Sequence, residues 1–205
     1  MGLMRIGLLG GSFDPVHIAH LALAQAALDF LTLDEVQLIP AGQPWQKPPL
    51  GATPSHRLKM LELATQDSDR ITVNPIEIQR TGPTYTIETL KALESGHDYF
   101  WILGADQLKN FCTWQRWSEI ADRVQLVVAQ RPGSTLSTPD ELSDWLNAHQ
   151  RKLVFLPFEP LDISASAIRQ RLAQQQSARD LLPEIVEQYI HEHGLYRPSS
   201  PKQEY

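Results

Sequence analysis

The sequence predicts an α/β fold: a doubly wound parallel sheet of about six strands, with helices on both faces and a helical C-terminal part. Three observations carry this. Short apolar runs recur along the chain, each ended by glycine, proline or a polar loop, as strands buried on both faces of a parallel sheet require. Stretches with helical spacing of apolar residues separate these runs, and right-handed crossovers then lay helices over both faces. Ligands in such sheets sit beyond the carboxyl ends of the strands, and three polar segments fall there: "GGSFDPVHIAH" (10–20), "GADQ" (104–107) and the loop after 157.

The elements follow in order. "RIGLLG" (5–10) is a short apolar run ended by glycines and reads as the first strand. From Ile18 to Leu31 the residues Ile18, Leu21, Ala22 and Leu28 mark one face of a helix. "EVQLIP" (35–40) is a second strand, followed by the Pro/Gly-rich loop "AGQPWQKPPLGATP". Thr53-Pro54 pairs an N-cap with proline at the first helical position, and Leu58, Leu61 and Ala64 continue that helix. "RITVNPI" (70–76) is a weaker strand and "TYTIETLKALES" (84–95) a helix. "DYFWILG" (98–104), "VQLVVAQ" (124–130) and "KLVFLP" (152–157) complete the strands, and helices are expected near 140–149, 164–175 and 183–192. Residues 1–197 read as one domain and 198–205 as a disordered tail.

Composition narrows the function classes. The chain is 42% hydrophobic and 20% charged with a formal charge of -6, acidic and basic residues being mixed along it. A general binder of nucleic acid or membrane surfaces needs a dense basic patch, so neither is expected, and phosphate recognition has to be local. No apolar run reaches a membrane span, and the N-terminus lacks a signal-peptide core; a cytoplasmic location is expected. The single Cys112 allows no internal disulfide and reads as a small loop residue. No Cys/His group has zinc spacing, and the histidines of "HEH" (191–193) stand two apart, off a common helix face, so no protein-held metal is expected. The Glu/Arg mixture of 179–192 reads as a solvated helix face.

Two segments carry chemistry. Gly10 and Gly11 supply neither GxGxxG nor a P-loop, yet permit close backbone approach to a ligand after the first strand. His17 and His20, three apart at a helix start, share a face where free N–H groups and the macrodipole favour an anion. The second segment is "ISASAIRQRL" (163–172), in which Ile168 and Leu172 form the buried stripe. Ser164, Ser166 and Arg169 there place hydroxyls, amides and a guanidinium at one helix start, a set suited to a polyphosphate.

"GGSFDPVHIAHL" followed at this distance by "ISASAIR" resembles the H-x-G-H and I-S-S-T-x-I-R signatures of the nucleotidylyltransferase superfamily. Within it the chain is similar to bacterial nicotinate-nucleotide adenylyltransferases over roughly residues 4 to 196. It shares "IPAGQPWQKPP", "HRLKMLELA", "GPTYTIETL", "ILGADQL", "TWQRW" and "AQRPG" in that order. Ala19 replaces the usual glycine between the histidines. Gln46-Lys47 stands where many relatives have His-Lys, and Ala165-Ser166 where they have Ser-Thr.

The resemblance implies a Rossmann-like fold and transfer of the adenylyl group of ATP to nicotinate mononucleotide, giving nicotinate adenine dinucleotide and pyrophosphate, with Mg²⁺ accompanying the polyphosphate. It implies that Gly10, Gly11, Ser12 and Phe13 line the crevice and that His20 stabilises the transition state, with His17 beside it. Ser164, Ser166 and Arg169 would hold the β- and γ-phosphates, Gly104 and Asp106 would contact adenosine, and Lys47 would reach a phosphate. At the acceptor end Trp114 would stack on the pyridine ring, Tyr85 would flank it, and Thr86 would meet the carboxylate at a helix start, while Glu88 is expected to face solvent. Arg131 would contact the mononucleotide phosphate, and Trp101 is expected in the core. Two other readings stand beside this one: an adenylyltransferase preferring nicotinamide mononucleotide or another phosphorylated acceptor, and a non-catalytic nucleotide-binding regulator. The sequence leaves room for a homo-oligomer.

Overall fold

In the computed structural model, which describes residues 2–43, 50–133 and 135–197, six strands pair in parallel. They are β1 (Arg5–Gly11), β2 (Glu35–Pro40), β3 (Ile71–Val73), β4 (Asp98–Leu103), β5 (Gln125–Gln130) and β6 (Val154–Pro157), in the order β3-β2-β1-β4-β5-β6. This is the expected doubly wound sheet, and its order reverses between β1 and β4, where a crevice opens at the carboxyl ends. β3 is shorter than the run 70–76 because it pairs with β2 only over Ile71–Val73, before Pro75 removes a ladder donor. The expected position of Lys47 and the tail 198–205 lie outside the described residues.

Alternation along each strand feeds two cores. Leu9, Val36, Leu38, Phe100, Ile102 and Val127 point to one face, covered by α1 (Ile18–Leu31), α2 (Pro54–Thr65), α7 (Ala165–Ala173) and α8 (Glu184–Glu192). Leu8, Ile39, Trp101, Leu103, Leu126 and Val128 point to the other, covered by α3 (Thr86–Ala92), α4 (Ala105–Lys109), α5 (Trp117–Arg123) and α6 (Asp140–Ala148). α4, a 3-10 turn at Phe111–Thr113 and α5 were not expected. They are too short to show a period, and α5 starts from Arg116 in the left-handed region (φ 57°).

Two helices are rotated from their expected stripes. α1 buries Ala24, Ala27, Leu28 and Leu31 and leaves Leu21 and Ala22 half-buried, on a shallow depression they share with Ala64 and Thr65 at the end of α2. α2 buries Arg57, Met60, Leu61 and Thr65, with Leu58 and Ala64 only half-buried. Sequence patterning does not place an arginine in a core stripe, yet this one belongs there. In α8, Glu187 also leaves the expected solvated face: it is buried and accepts hydrogen bonds from the Ala178 amide (2.7 Å) and Ser177 Oγ (2.9 Å).

Arg57 is 1% exposed. Its Nη1 donates to the Ser12 carbonyl at 2.8 Å, and its Nη2 to the Ala41 carbonyl at 2.7 Å and the Gly42 carbonyl at 3.2 Å. One guanidinium therefore ties the loop after β1 to the loop after β2. Burial lowers its pKa, and the nearby Asp14 carboxylate opposes that shift. Asp14, also 1% exposed, accepts the Gly51 amide on Oδ2 (2.7 Å) and the Ala52 amide on Oδ1 (3.0 Å). Arg57→Met should leave three carbonyls without that donor and Asp14 without one of its cationic neighbours, a loss of about 3 kcal/mol or more. Urea unfolding checks this, and a loss under about 1 kcal/mol would refute the role assigned to Arg57.

Candidate active site

The crevice floor is the end of β1. At Gly10 an added methyl group would lie 3.1 Å from the Trp101 indole, so the glycine lets the ring of β4 pack directly beneath the backbone. Gly10, Gly11 and Ser12 form the floor of an open cleft of roughly 150 Å³. Tyr85, Thr86, Trp114 and Gln115 form the opposite rim, with Trp101, Glu77 and Gln107 between. Trp101 thus serves both the core, as expected, and the cleft.

Beyond Ser12 the chain turns through Phe13 (φ 47°) into α1. Phe13 does not line the cleft; its buried ring backs Gly11 and meets His20 edge-on at 4.9 Å. His17 is the N-cap of α1, and its ring stacks on His20 with centroids 3.7 Å apart. The His17 amide donates to His20 Nδ1 at 3.2 Å. In the neutral ring this puts the proton on His20 Nε2, which leaves that nitrogen a donor. His17 is 6% exposed, and its Nδ1 has no hydrogen-bond partner among the described residues.

The start of α7 packs against the same loop. Ser164 caps it, accepting the Ala167 amide at 3.2 Å. Arg169 Nη1 donates to the Asp14 carbonyl at 2.7 Å, and its Nη2 lies 3.5 Å from Ser166 Oγ. The structure therefore gathers His17, His20, Ser164, Ser166 and Arg169 around the loop that carries Asp14 and continues from Ser12 at the cleft.

At the other end Tyr85 is the N-cap residue of α3 and Thr86 its first residue. Trp114 is half-buried and held by Phe111 (centroids 5.4 Å apart) and Trp101 (6.4 Å, perpendicular). Glu77, buried, was missed by the sequence reading. Its Oε1 accepts Thr89 Oγ1 at 2.7 Å, and burial raises its pKa against the pull of that bond.

Three expected residues do not line this cleft. Gly104 caps α4 with its amide taken by Gln107 Oε1 (2.9 Å), and Gln107 rather than Gly104 lines the cleft. The Asp106 side chain is 94% exposed and lies 3.5 Å from Lys109. Arg131 pairs with Glu159 (2.9 Å) and does not line the cleft. Asp14 and Arg57 were also missed as site residues, although both lie inside quoted segments. The available signal was a charge inside an apolar stripe or turn, which on its own reads as surface.

Burial lowers the His17 pKa to about 4, so the ring is neutral at pH 7. Between that value and the unfolded value near 6.5 the unfolded chain binds more protons. Stability is therefore complete above about pH 6.5 and falls as the pH drops toward 4, by about 3 kcal/mol at most. His17→Asn should flatten this acid limb. An unfolding free energy with the same pH dependence between 4 and 6.5 in wild type and variant would contradict it.

Comparisons with known proteins give the family and the fold. A family model described as cytidylyltransferase-like matches residues 8–171. A protein of Bordetella parapertussis named probable nicotinate-nucleotide adenylyltransferase is 58% identical over 96% of this chain and 100% of its own length. One of the same name from Dehalococcoides mccartyi is 41% identical over 94% of this chain and 97% of its own length. Among solved structures, the Plasmodium falciparum nicotinic acid mononucleotide adenylyltransferase complexed with NaAD superposes with a TM-score of 0.73 at 19% identity, covering 94% of this chain and 97% of that one, a likeness of fold. Cytidylyltransferase-like over most of its length, the chain belongs to the nicotinate-nucleotide adenylyltransferase family.

Proposed function

We propose that the protein transfers the adenylyl group of ATP to nicotinate mononucleotide in NAD biosynthesis. The observation that carries this is one crevice with two chemically different ends. Imidazole, hydroxyl and guanidinium donors stand at the starts of α1 and α7, and an aromatic rim with a helix start lies across the Gly10–Ser12 floor. Family membership over nearly the full length supports the same reading.

In this reaction a phosphate oxygen of the mononucleotide attacks the α-phosphorus of ATP, and the bond to the bridging β-oxygen breaks to release pyrophosphate. The attacking oxygen is already ionised near neutral pH, so the protein aligns the partners and stabilises charge rather than removing a proton. The Nε2–H of His20 supplies a donor to the phosphoryl oxygens, with neutral His17 stacked behind it. Ser164, Ser166 and Arg169 take the leaving phosphates. Gly104 and Asp106 meet the adenosine, for which the exposed Asp106 carboxylate offers an acceptor to a ribose hydroxyl.

Mg²⁺ enters with ATP in this reading. Among the described residues no group of three His, Cys, Asp or Glu side chains is placed to hold a metal, and the Asp14 carboxylate is taken by backbone amides. That donor set fits a cation carried by phosphates and water, whose chemistry is to offset the polyphosphate charge. Among the described residues no helix is long and apolar enough to cross a membrane.

At the acceptor end Trp114 and Tyr85 bracket the pyridine ring, and the Thr86 hydroxyl and the start of α3 meet the carboxylate. Glu88 is turned outward onto Lys91 (2.9 Å) and Arg116 (3.7 Å). Glu77 is the acidic side chain among the described cleft residues. Its Oε1 accepts the Thr89 hydroxyl, which in turn accepts from Arg80 Nη2 (2.9 Å).

Pyrophosphate release from ATP with each mononucleotide in turn tests the assignment. Nicotinate mononucleotide should be strongly preferred, a charge-assisted hydrogen bond contributing on the order of 1.5–3 kcal/mol. Trp114→Ala should lower kcat/KM for both acceptors while leaving their ratio nearly unchanged; equal wild-type values for the two would overturn the nicotinate assignment. His20→Ala should fold normally and lose about two to four orders of magnitude in kcat/KM. Wild-type turnover in that folded variant would remove His20 from the chemistry.

A further inference from the structure

α8 ends in a Schellman turn. The Leu195 amide donates to the Ile190 carbonyl (3.0 Å) and the Gly194 amide to the His191 carbonyl (3.2 Å), with Gly194 at φ 61°. The turn sends the chain back toward the loop after β1 and delivers Tyr196, 182 residues from Asp14 in sequence, so that its hydroxyl donates to Asp14 Oδ1 at 2.8 Å. Burial and the neighbouring Asp14 charge both push the Tyr196 hydroxyl far up, so it remains a donor at every working pH.

Asp14 passes this contact on. Its Oδ2 accepts the Gly51 amide and lies 3.7 Å from Arg169 Nη1, the same nitrogen that donates to the Asp14 carbonyl. Packing makes a second, separate connection. A methyl group at Gly51 would lie 2.9 Å from the Tyr196 ring and 3.2 Å from Arg169 Cδ, so ring, glycine and arginine stem are stacked in one line. Arg169 is thus braced by Tyr196 along two routes, one through the Asp14 carboxylate and one through Gly51. An arginine at the phosphate end has several torsions to order, and ordering them in advance lowers the cost of gripping a ligand.

We propose that Tyr196 is a positioning residue for ATP, setting the Arg169 guanidinium through Asp14 and Gly51 while touching neither substrate. The proposal rests on the reading of Arg169 as a holder of the ATP phosphates. A residue that merely staples α8 to the sheet would affect both ligands alike. A residue acting through Arg169 affects ATP alone, and only while Arg169 is present.

Titration calorimetry with ATP alone and with nicotinate mononucleotide alone separates these, using wild type, Tyr196→Phe, Arg169→Ala and the double variant. Circular dichroism verifies the fold of each. Tyr196→Phe should weaken ATP roughly 5- to 10-fold and change the mononucleotide less than about 2-fold. In the Arg169→Ala background the same substitution should change ATP less than about 2-fold. Gly51→Ala, which presses on Arg169 from the other side, should reproduce the ATP-selective loss. Equal losses in both backgrounds, similar losses for both ligands, or no loss at all would overturn the proposal and leave the function standing. Failure of the wild type to bind ATP would bring down the functional reading and this proposal together.

Discussion

Two buried charges of opposite sign, Asp14 and Arg57, direct nearly all their side-chain hydrogen bonds among the described residues to backbone, and the shape of the crevice depends on those bonds. Loops after parallel strands carry amides and carbonyls that no ladder satisfies, and burying them unpaired is costly. Arg57 takes the carbonyls of Ser12, Ala41 and Gly42, while Asp14 takes the amides of Gly51 and Ala52. The loops after β1 and β2 can therefore lie together in a dry region. A pair of apolar residues of similar size would fill the space but leave those five backbone groups without partners. The stacked histidines and Arg169 inherit their positions from this arrangement, since His17 follows Asp14 by three residues and Arg169 donates to its carbonyl.

The sheet divides the remaining work between its faces. α1 and α7, which carry the stacked histidines and Arg169, pack on one core, whereas α3, α4 and α5 around the cleft pack on the other. β1 is the seam. Its residues alternate between the two cores, and its carboxyl end supplies the floor that both halves of the site share. A reaction that joins two nucleotides needs them end to end across such a seam, and the reversal of strand order at β1 and β4 provides it.

Much of this was legible in the sequence where the signal is local. All six strands, the caps at Thr53 and Ser164 and the stripe of Ile168 and Leu172 depend on neighbours within a few positions. The histidine pair was legible for the same reason. The bracing residues were not, because their meaning is a partner far along the chain: Arg57 serves a carbonyl 45 residues away, and Tyr196 reaches Asp14 across 182. A lone arginine or aspartate reads as surface until the fold supplies its partner. Gln107 and Glu77 were hidden for a related reason, since α4 is one short turn-like helix and Glu77 lies in a stretch without regular period. The rotation of α1 and α2 shows the converse, that an apolar count gives a helix without giving the angle at which it sits.

The floor of the cleft is backbone with almost no side chain, whereas its rim is side chains on short connecting segments. At Gly10 the space a side chain would need is already filled by Trp101, and paired strands flank β1 on both sides, so the floor changes only if the sheet does. Tyr85, Thr86, Trp114 and Gln115 sit on a seven-residue helix and the loop before α5, where no strand pairing constrains them. The two parts of the site therefore differ in evolutionary freedom. Lineages descending from such a protein can rewrite the rim a residue at a time, with the glycine floor carried along unaltered.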